Sequence, residues 1–101
     1  MTHNTAILIC LLQNNKRWIS INQISSYTAS MCKSECYKVG TRVSDLRVKY
    51  GYPIENKKEN VNGVVHSSYR LDLYDSKLQE LRRLWPFTNP PQYQSTLKYA
   101  I

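Results

Sequence analysis

The chain has 101 residues, which is enough for one domain with one modest core. Apolar residues make up 42% and charged residues 21%, as in a globular rather than a disordered protein. A net charge of +7 favours an anionic partner, and it leaves nucleic acid, an acidic protein and an anionic membrane surface open. Charge alone fits a basic protein without such a partner equally well.

Cysteine usage and hydropathy indicate a cytoplasmic protein. The three cysteines are odd in number and Cys10 sits in an apolar run, so no disulfide framework is predicted. The apolar run 6–12 is too short to cross a bilayer, which takes roughly 20 residues. No basic residue precedes this run, and Lys16 and Arg17 follow it, unlike a signal peptide. We therefore expect no membrane association.

The first half of the chain predicts two helices and a short strand. Residues 4–15 form a first helix capped by Asn4 or Thr5, and its wide apolar surface predicts a central helix with several neighbours. Residues 16–20 are extended and are expected to form a minor third strand. Residues 21–29 form a second helix, with Ser20 and Gln23 in a capping box.

A third helix is predicted over residues 35–50, with Ser34 as its cap and Gly51 as its end. An apolar stripe for the core comprises Cys36, Val39, Val43, Leu46 and Tyr50. The opposite side carries Tyr37, Thr41, Ser44 and Val48, and one flank carries Lys38, Arg42, Asp45 and Lys49. Arg47 lies on the other flank, far from Lys38 and Arg42, and this position favours a structural role for Arg47 over a DNA contact. Gly40 is a weak helix former that indicates close packing or close approach to a backbone.

A β-hairpin follows, because Asn62-Gly63 is a strong signal for a two-residue turn. This turn pairs Ile54 with Leu71, and it places both on the core face with Tyr69. Further cross-strand pairs of the same register are Glu55 with Arg70, Lys57 with Ser68, Glu59 with His66 and Val61 with Val64.

The C-terminal part predicts a fourth helix from Asp75 or Ser76 to about Trp85, ended by Pro86. Its apolar stripe is Tyr74, Leu78, Leu81 and Trp85, broadened by Leu84. The stripe packs on the first helix or, as an alternative, forms a homodimer. In the proline-containing tail, Tyr93, Leu97 and Tyr99 are available to pack back onto the domain or onto a partner.

The predicted fold class is α+β, mainly α. The segment Thr41-Arg-Val-Ser-Asp-Leu-Arg-Val-Lys-Tyr-Gly-Tyr-Pro-Ile54, closed by Ser68-Tyr-Arg-Leu71, resembles small winged helix-turn-helix domains of bacteriophages and prophages. One extra residue, Tyr50, precedes Gly51. The likeness covers about residues 5–71. It implies a winged helix-turn-helix domain over 1–73, with an added helix and tail over 74–101.

The resemblance implies double-stranded DNA as partner and transcription regulation in the host-cell cytoplasm as function. The predicted DNA-binding residues are Lys33, Tyr37, Lys38, Thr41, Arg42, Ser44, Arg47, Lys49, Lys57 and Lys58. The competing interpretations are a solvated basic helix and, for Lys57 and Lys58, charges that protect an exposed strand from edge pairing. The alternative function is a winged-helix module for an acidic protein partner, or a virion-associated accessory protein.

No enzyme is predicted, because the sequence has no phosphate loop, no His-Glu-x-x-His motif and no nucleophile elbow. No cofactor is expected. Cys32 and Cys36 have a tolerable spacing for zinc, but no second close pair of ligands accompanies them, so a metal site is disfavoured.

Overall fold

A computed structural model describes residues 2–35, 38–83, 90, 91 and 93. The described chain is α+β, with four helices and one three-stranded antiparallel sheet. The elements in chain order are α1 (His3–Gln13), β1 (Ile19–Ser20), α2 (Ile21–Cys32), α3 (Val39–Val48), β2 (Ile54–Val61), β3 (Val64–Leu71) and α4 (Asp75–Arg83). None of these helices is long and apolar enough to cross a membrane.

The central helix α1 is confirmed, although its cap lies earlier than predicted. Every residue from Thr5 to Leu12 is buried, and α1 contacts α2, α3 and β3. The N-cap is Thr2 rather than Asn4 or Thr5, because the Thr2 hydroxyl accepts a hydrogen bond from the Thr5 amide at 3.2 Å. The helix ends at Gln13 with Asn14 as its C-cap, slightly before the predicted residue 15.

The boundary between α2 and α3 differs from the prediction. The capping box of Ser20 and Gln23 is present, but α2 runs to Cys32 instead of ending at residue 29, and Lys33 ends it in the left-handed conformation with φ of 55°. No proline or glycine stands between 29 and 32 to stop a helix earlier.

The helix α3 starts at Val39, later than the predicted residue 35. Ser34 is not its cap, since the Ser34 hydroxyl lies 3.0 Å from His3 Nε2 in a hydrogen bond. The residue at the N-cap is Lys38, whose side chain makes no capping hydrogen bond. The core stripe is confirmed for Val39, Val43 and Leu46, whereas Cys36 lies outside the described residues.

The hairpin has the predicted register along its whole length, from Ile54 opposite Leu71 to Val61 opposite Val64. Asn62 and Gly63 both have positive φ, of 53° and 81°, as this turn requires. The predicted third strand is also present, because β1 pairs with β3 and gives the sheet order β1-β3-β2. Tyr69, Leu71 and Ile54 are buried against the helices.

The last helix α4 completes the core through Leu78 and Leu81. Tyr74 was predicted in its apolar stripe but is 81% exposed, and Leu73 is the buried residue instead. The Asn15 side chain holds Leu73 in place, accepting from its amide at 3.0 Å and donating to its carbonyl at 3.1 Å. Leu84, Trp85, Leu97 and Tyr99 lie outside the described residues, but Tyr93 does pack on the core as predicted.

Candidate functional site

The exposed side of α3 is a polar and cationic surface. Thr41, Ser44 and Val48 lie opposite the buried stripe and are exposed, as the helical period predicts. Val48 is an apolar side chain that is 84% exposed. The cations Lys38, Arg47 and Lys49 surround this side and are exposed as well. We call these six residues the α3 face.

The two arginines of α3 occupy different environments. Arg47 is exposed, whereas Arg42 is half-buried. Arg42 lies beside the first turn of α1, where it lines a cavity of about 320 Å³ with Thr2, His3, Asn4, Tyr50 and Pro90. The predicted flank of Lys38, Arg42 and Lys49 therefore divides, because the N-terminus of α1 partly covers its middle member.

Lys33 is set apart from the α3 face along the chain. It ends α2, and four residues separate it from Lys38. Lys33 is exposed. Tyr37, the other predicted DNA-binding residue of this region, lies outside the described residues. The structure therefore groups six predicted residues (Thr41, Arg42, Ser44, Arg47, Lys38 and Lys49) on α3 and its ends.

The predicted hairpin cations Lys57 and Lys58 point to opposite faces, because successive strand residues alternate. Lys57 faces away from the helices. Its ammonium lies 2.9 Å from a Glu59 carboxylate oxygen and 4.9 Å from the centre of the Trp18 ring. Arg70 stacks on the same ring at 4.8 Å and pairs with Glu55 at 2.7 Å. Lys57 is thus held in a network of stabilising contacts.

Lys58 differs from Lys57 in having no such contacts. It lies on the strand face that carries Ile54, and it is exposed. Within the described chain it forms no ion pair. Its charge is therefore available to an anionic partner.

The carboxylates of Glu55 and Glu59, which pair with cations, lie on the sheet. None of the six residues of the α3 face is acidic. Asp45, the acidic residue within α3, is half-buried. Within the described residues, the cations of α3 and its ends form no ion pair. On the hairpin, the hydrogen bond and charge of Lys57 lower the pKa of Glu59. Glu59 faces His66 in the register, but its carboxylate contacts Lys57 instead.

Trp18 and Val48 contribute to these surfaces, although neither is among the predicted DNA-binding residues. Trp18 immediately precedes β1, and pairing of β1 with β3 brings it to the outer sheet face with Arg70. The alternation of side chains along a strand is the sequence signal that could have placed Trp18 on this face. Val48 was placed on the outer side of α3, but its exposure to solvent depends on no other element covering it.

Within the described residues, no group of three or more His, Cys, Asp or Glu side chains is arranged to hold a metal ion. Buried Cys10 has a raised pKa because burial disfavours its thiolate. Comparisons of the chain with protein families, with curated proteins and with solved structures find no match.

Proposed function

We propose that this chain is a winged helix-turn-helix protein that binds double-stranded DNA, with α3 as its recognition helix and the β2–β3 hairpin as its wing. The class of function that fits best is a small phage-type transcriptional regulator. Such a protein acts by occupying a site, which blocks or recruits other machinery. The single observation that carries the proposal is the cationic α3 face beside a projecting hairpin.

The topology supports the proposal. A winged helix has three helices, a minor strand between the first two, and a hairpin after the third. The chain has this order from α1 to β3, and β1 lies beside β3 in the sheet. In helix-turn-helix proteins the recognition helix lies in the major groove, with its first residues on base edges. Thr41 and Ser44 are exposed in the corresponding part of α3.

The chemistry of the α3 face suits a duplex. Lys38 and Lys49 stand at its two ends, where they would neutralise phosphates and position the helix. Arg47 can donate two hydrogen bonds to O6 and N7 of a guanine. Val48 offers a methyl surface, which fits the methyl group of thymine. Positioning and sequence discrimination would thus come from different residues of one helix.

Salt dependence of duplex binding tests the proposal. Several phosphate contacts predict a loss of affinity by orders of magnitude between about 50 and 200 mM salt. Lys38→Ala and Lys49→Ala should each reduce the slope of log affinity against log salt by about one. Arg83→Ala is the matched control, because it removes one exposed charge from α4 instead. A chain that does not bind duplexes at low salt would refute the proposal.

Sequence discrimination separates a reader of bases from a binder of phosphates. The bound fraction of a random duplex pool should yield a motif for the natural chain. Arg47→Ala should relax one position of that motif, at about 1–3 kcal/mol of discrimination. Arg42→Ala should act less on the motif, because Arg42 is half-buried beside α1. A pool without any enriched motif would leave α3 as a phosphate binder only.

A second function is favoured by the apolar tip of the hairpin. Val61 and Val64 form a cross-strand pair beside the turn and are exposed by 48% and 56%, and Val65 is 61% exposed on the opposite face. Exposed apolar side chains that cluster commonly mark protein contacts. In this alternative, the hairpin binds a protein partner, an acidic one given the net charge of +7, as in an interaction module or a virion-associated accessory protein. Partner binding that survives high salt and is lost on Val64→Ser would favour it over DNA binding.

A further inference from the structure

Pro91 and Tyr93 pack onto the junction between α3 and β2. The Tyr93 amide donates to the Tyr50 carbonyl at 2.8 Å, and the Tyr52 hydroxyl donates to the Pro91 carbonyl at 2.7 Å. The Tyr52 and Tyr93 rings are tilted by 43°, with centres 5.4 Å apart. Two parts of the chain that lie 39 residues apart are therefore joined by hydrogen bonds in both directions and by a ring contact.

This junction fixes the direction in which the hairpin leaves α3. The chain turns at Gly51, whose φ is +80°, and the Tyr52 amide donates back to the Leu46 carbonyl at 2.9 Å. The strand β2 begins at Ile54, two residues later. The carbonyl of Tyr50 lies just past the last turn of α3, where carbonyls lack helical partners. Tyr93 supplies the partner for it.

The contact is close and buried. Tyr52 is 2% exposed, and Pro90 is buried. A Cβ atom added at Gly51 would lie 3.3 Å from the Tyr93 carbonyl oxygen, so the tail backbone passes tightly over this glycine. Burial is the larger cause of the raised pKa of Tyr52, and the neighbouring Tyr93 raises this pKa further. Tyr52 therefore remains a neutral hydroxyl donor.

The tail segment is also attached to α4. The Lys77 ammonium lies 5.0 Å from the centre of the Tyr93 ring, on the α4 side of the contact. A cation at this distance from an aromatic ring is attracted to it. Tyr93 therefore connects the α3–β2 junction with the last helix.

We propose that Pro90, Pro91 and Tyr93 form a clamp on the α3–β2 junction, and that Tyr93 is a positioning residue that sets the hairpin relative to α3. Tyr93 acts through Tyr52 and Tyr50. The clamp itself depends only on these contacts. Its consequence for DNA affinity rests on the proposed function, since a recognition helix and a wing must engage one duplex together.

Hydrogen exchange tests the clamp without any ligand. Tyr93→Ala should speed exchange of the Tyr52 amide by about tenfold, the loss expected for a removed aromatic pair. Amides in the middle of α1 should keep their rates. Tyr74→Ala is the matched control, because Tyr74 is 81% exposed. Tyr93→Phe keeps the ring and should restore the slow exchange.

A milder variant covers the case in which Tyr93→Ala unfolds the chain. Tyr52→Phe removes the hydroxyl that donates to Pro91 and keeps the buried ring. It should raise exchange at the same junction, by less than Tyr93→Ala. Equal exchange at Tyr52 in the Tyr93→Ala and Tyr74→Ala proteins would refute the clamp.

Duplex binding tests the positioning role at a temperature where every variant is folded. Tyr93→Ala should weaken binding about three- to tenfold, Tyr93→Phe should restore it, and Tyr74→Ala should leave it unchanged. Faster exchange with unchanged affinity would refute positioning. Failure of the natural chain itself to bind duplexes would refute the proposed function, while the exchange data would still decide the clamp.

Discussion

Adjacent residues of one strand have different roles on this hairpin. Lys57 lies between Glu59 and the Trp18 ring, whereas Lys58 is exposed on the other face. As neighbours in the sequence, the two lysines look equivalent, and both were predicted to contact DNA. The pleat of the strand separates them, so we assign Lys57 mainly to hairpin stability and Lys58 to the partner.

Single substitutions distinguish the two lysines. Lys57→Ala should destabilise the protein by about 0.5–1 kcal/mol, the usual value of an exposed cation–ring contact. Lys58→Ala should leave stability unchanged and lower duplex affinity evenly across sequences. Denaturant titration and duplex binding, each on both variants, give the comparison. Equal losses of affinity would show that Lys57 also reaches the partner.

The Lys57→Ala substitution should also change the pKa of Glu59. Lys57 lowers the pKa of Glu59, so the ionised carboxylate contributes stability above its unfolded pKa, and this is lost as the pH falls through the folded pKa. In Lys57→Ala, the pKa of Glu59 should rise toward its ordinary value. The carboxyl chemical shift of Glu59, followed against pH, measures this. An unchanged pKa would mean that the contact does not persist in solution.

At the scale of elements, α3 is shorter than its sequence pattern predicts. It begins at Val39, so Gly40 is its second residue and stands at an end, where a weak helix former is tolerated better than in the middle. A Cβ atom added at Gly40 would lie 3.5 Å from the Tyr69 hydroxyl, an ordinary contact distance. Tight packing within the described chain therefore does not require this glycine.

Gly40→Ala should stabilise the protein by about 0.5–1 kcal/mol, because alanine restricts the unfolded chain and favours the helix. Urea unfolding measures the gain. Ser44→Ala, on the exposed side of the same helix, is a comparison that also improves helix propensity. A destabilised Gly40→Ala protein would show that the Tyr69 side chain cannot adjust. Lower duplex affinity at higher stability would instead indicate that a DNA backbone approaches Gly40.

At the scale of the whole molecule, the last helix belongs to the same core as the proposed winged helix. Leu78 and Leu81 belong to the same buried cluster as residues of α1, and Tyr93 packs against that cluster. Leu81 also lines a cavity with Ile9 and Leu12 of α1. The homodimer through α4 stays a prediction. A cut after residue 73 would expose apolar side chains of α1.

Leu81→Ala should destabilise the protein by about 2–4 kcal/mol, because Leu81 is 2% exposed and its truncation leaves a cavity. Thermal unfolding should remain a single transition that moves to lower temperature. Arg83→Ala, exposed on the same helix, should leave the midpoint nearly unchanged. Two separate transitions would mean that residues 74–101 fold apart from the rest.

Features that depend on local periodicity were predictable from the amino-acid sequence alone. Asn62-Gly63 and the alternation of the strands specified the full hairpin register, since a slip by one residue would turn Ile54 and Leu71 away from the core. The capping box of α2 and the buried stripe of α3 depend on residues three or four apart, so they too were predictable.

Which side chains remain available to a partner depends on packing between elements that are distant in the sequence. The helical pattern favoured Arg42 over Arg47 as a DNA contact, whereas Arg42 is half-buried and Arg47 is exposed. The pattern also gave Lys57 and Lys58 the same role. The first turn of α1 half-buries Arg42, and Trp18 with Glu59 engages Lys57. Likewise, the Tyr52 hydroxyl donates to the Pro91 carbonyl, 39 residues further along the chain. Such contacts depend on packing between distant parts of the chain, which no local period encodes.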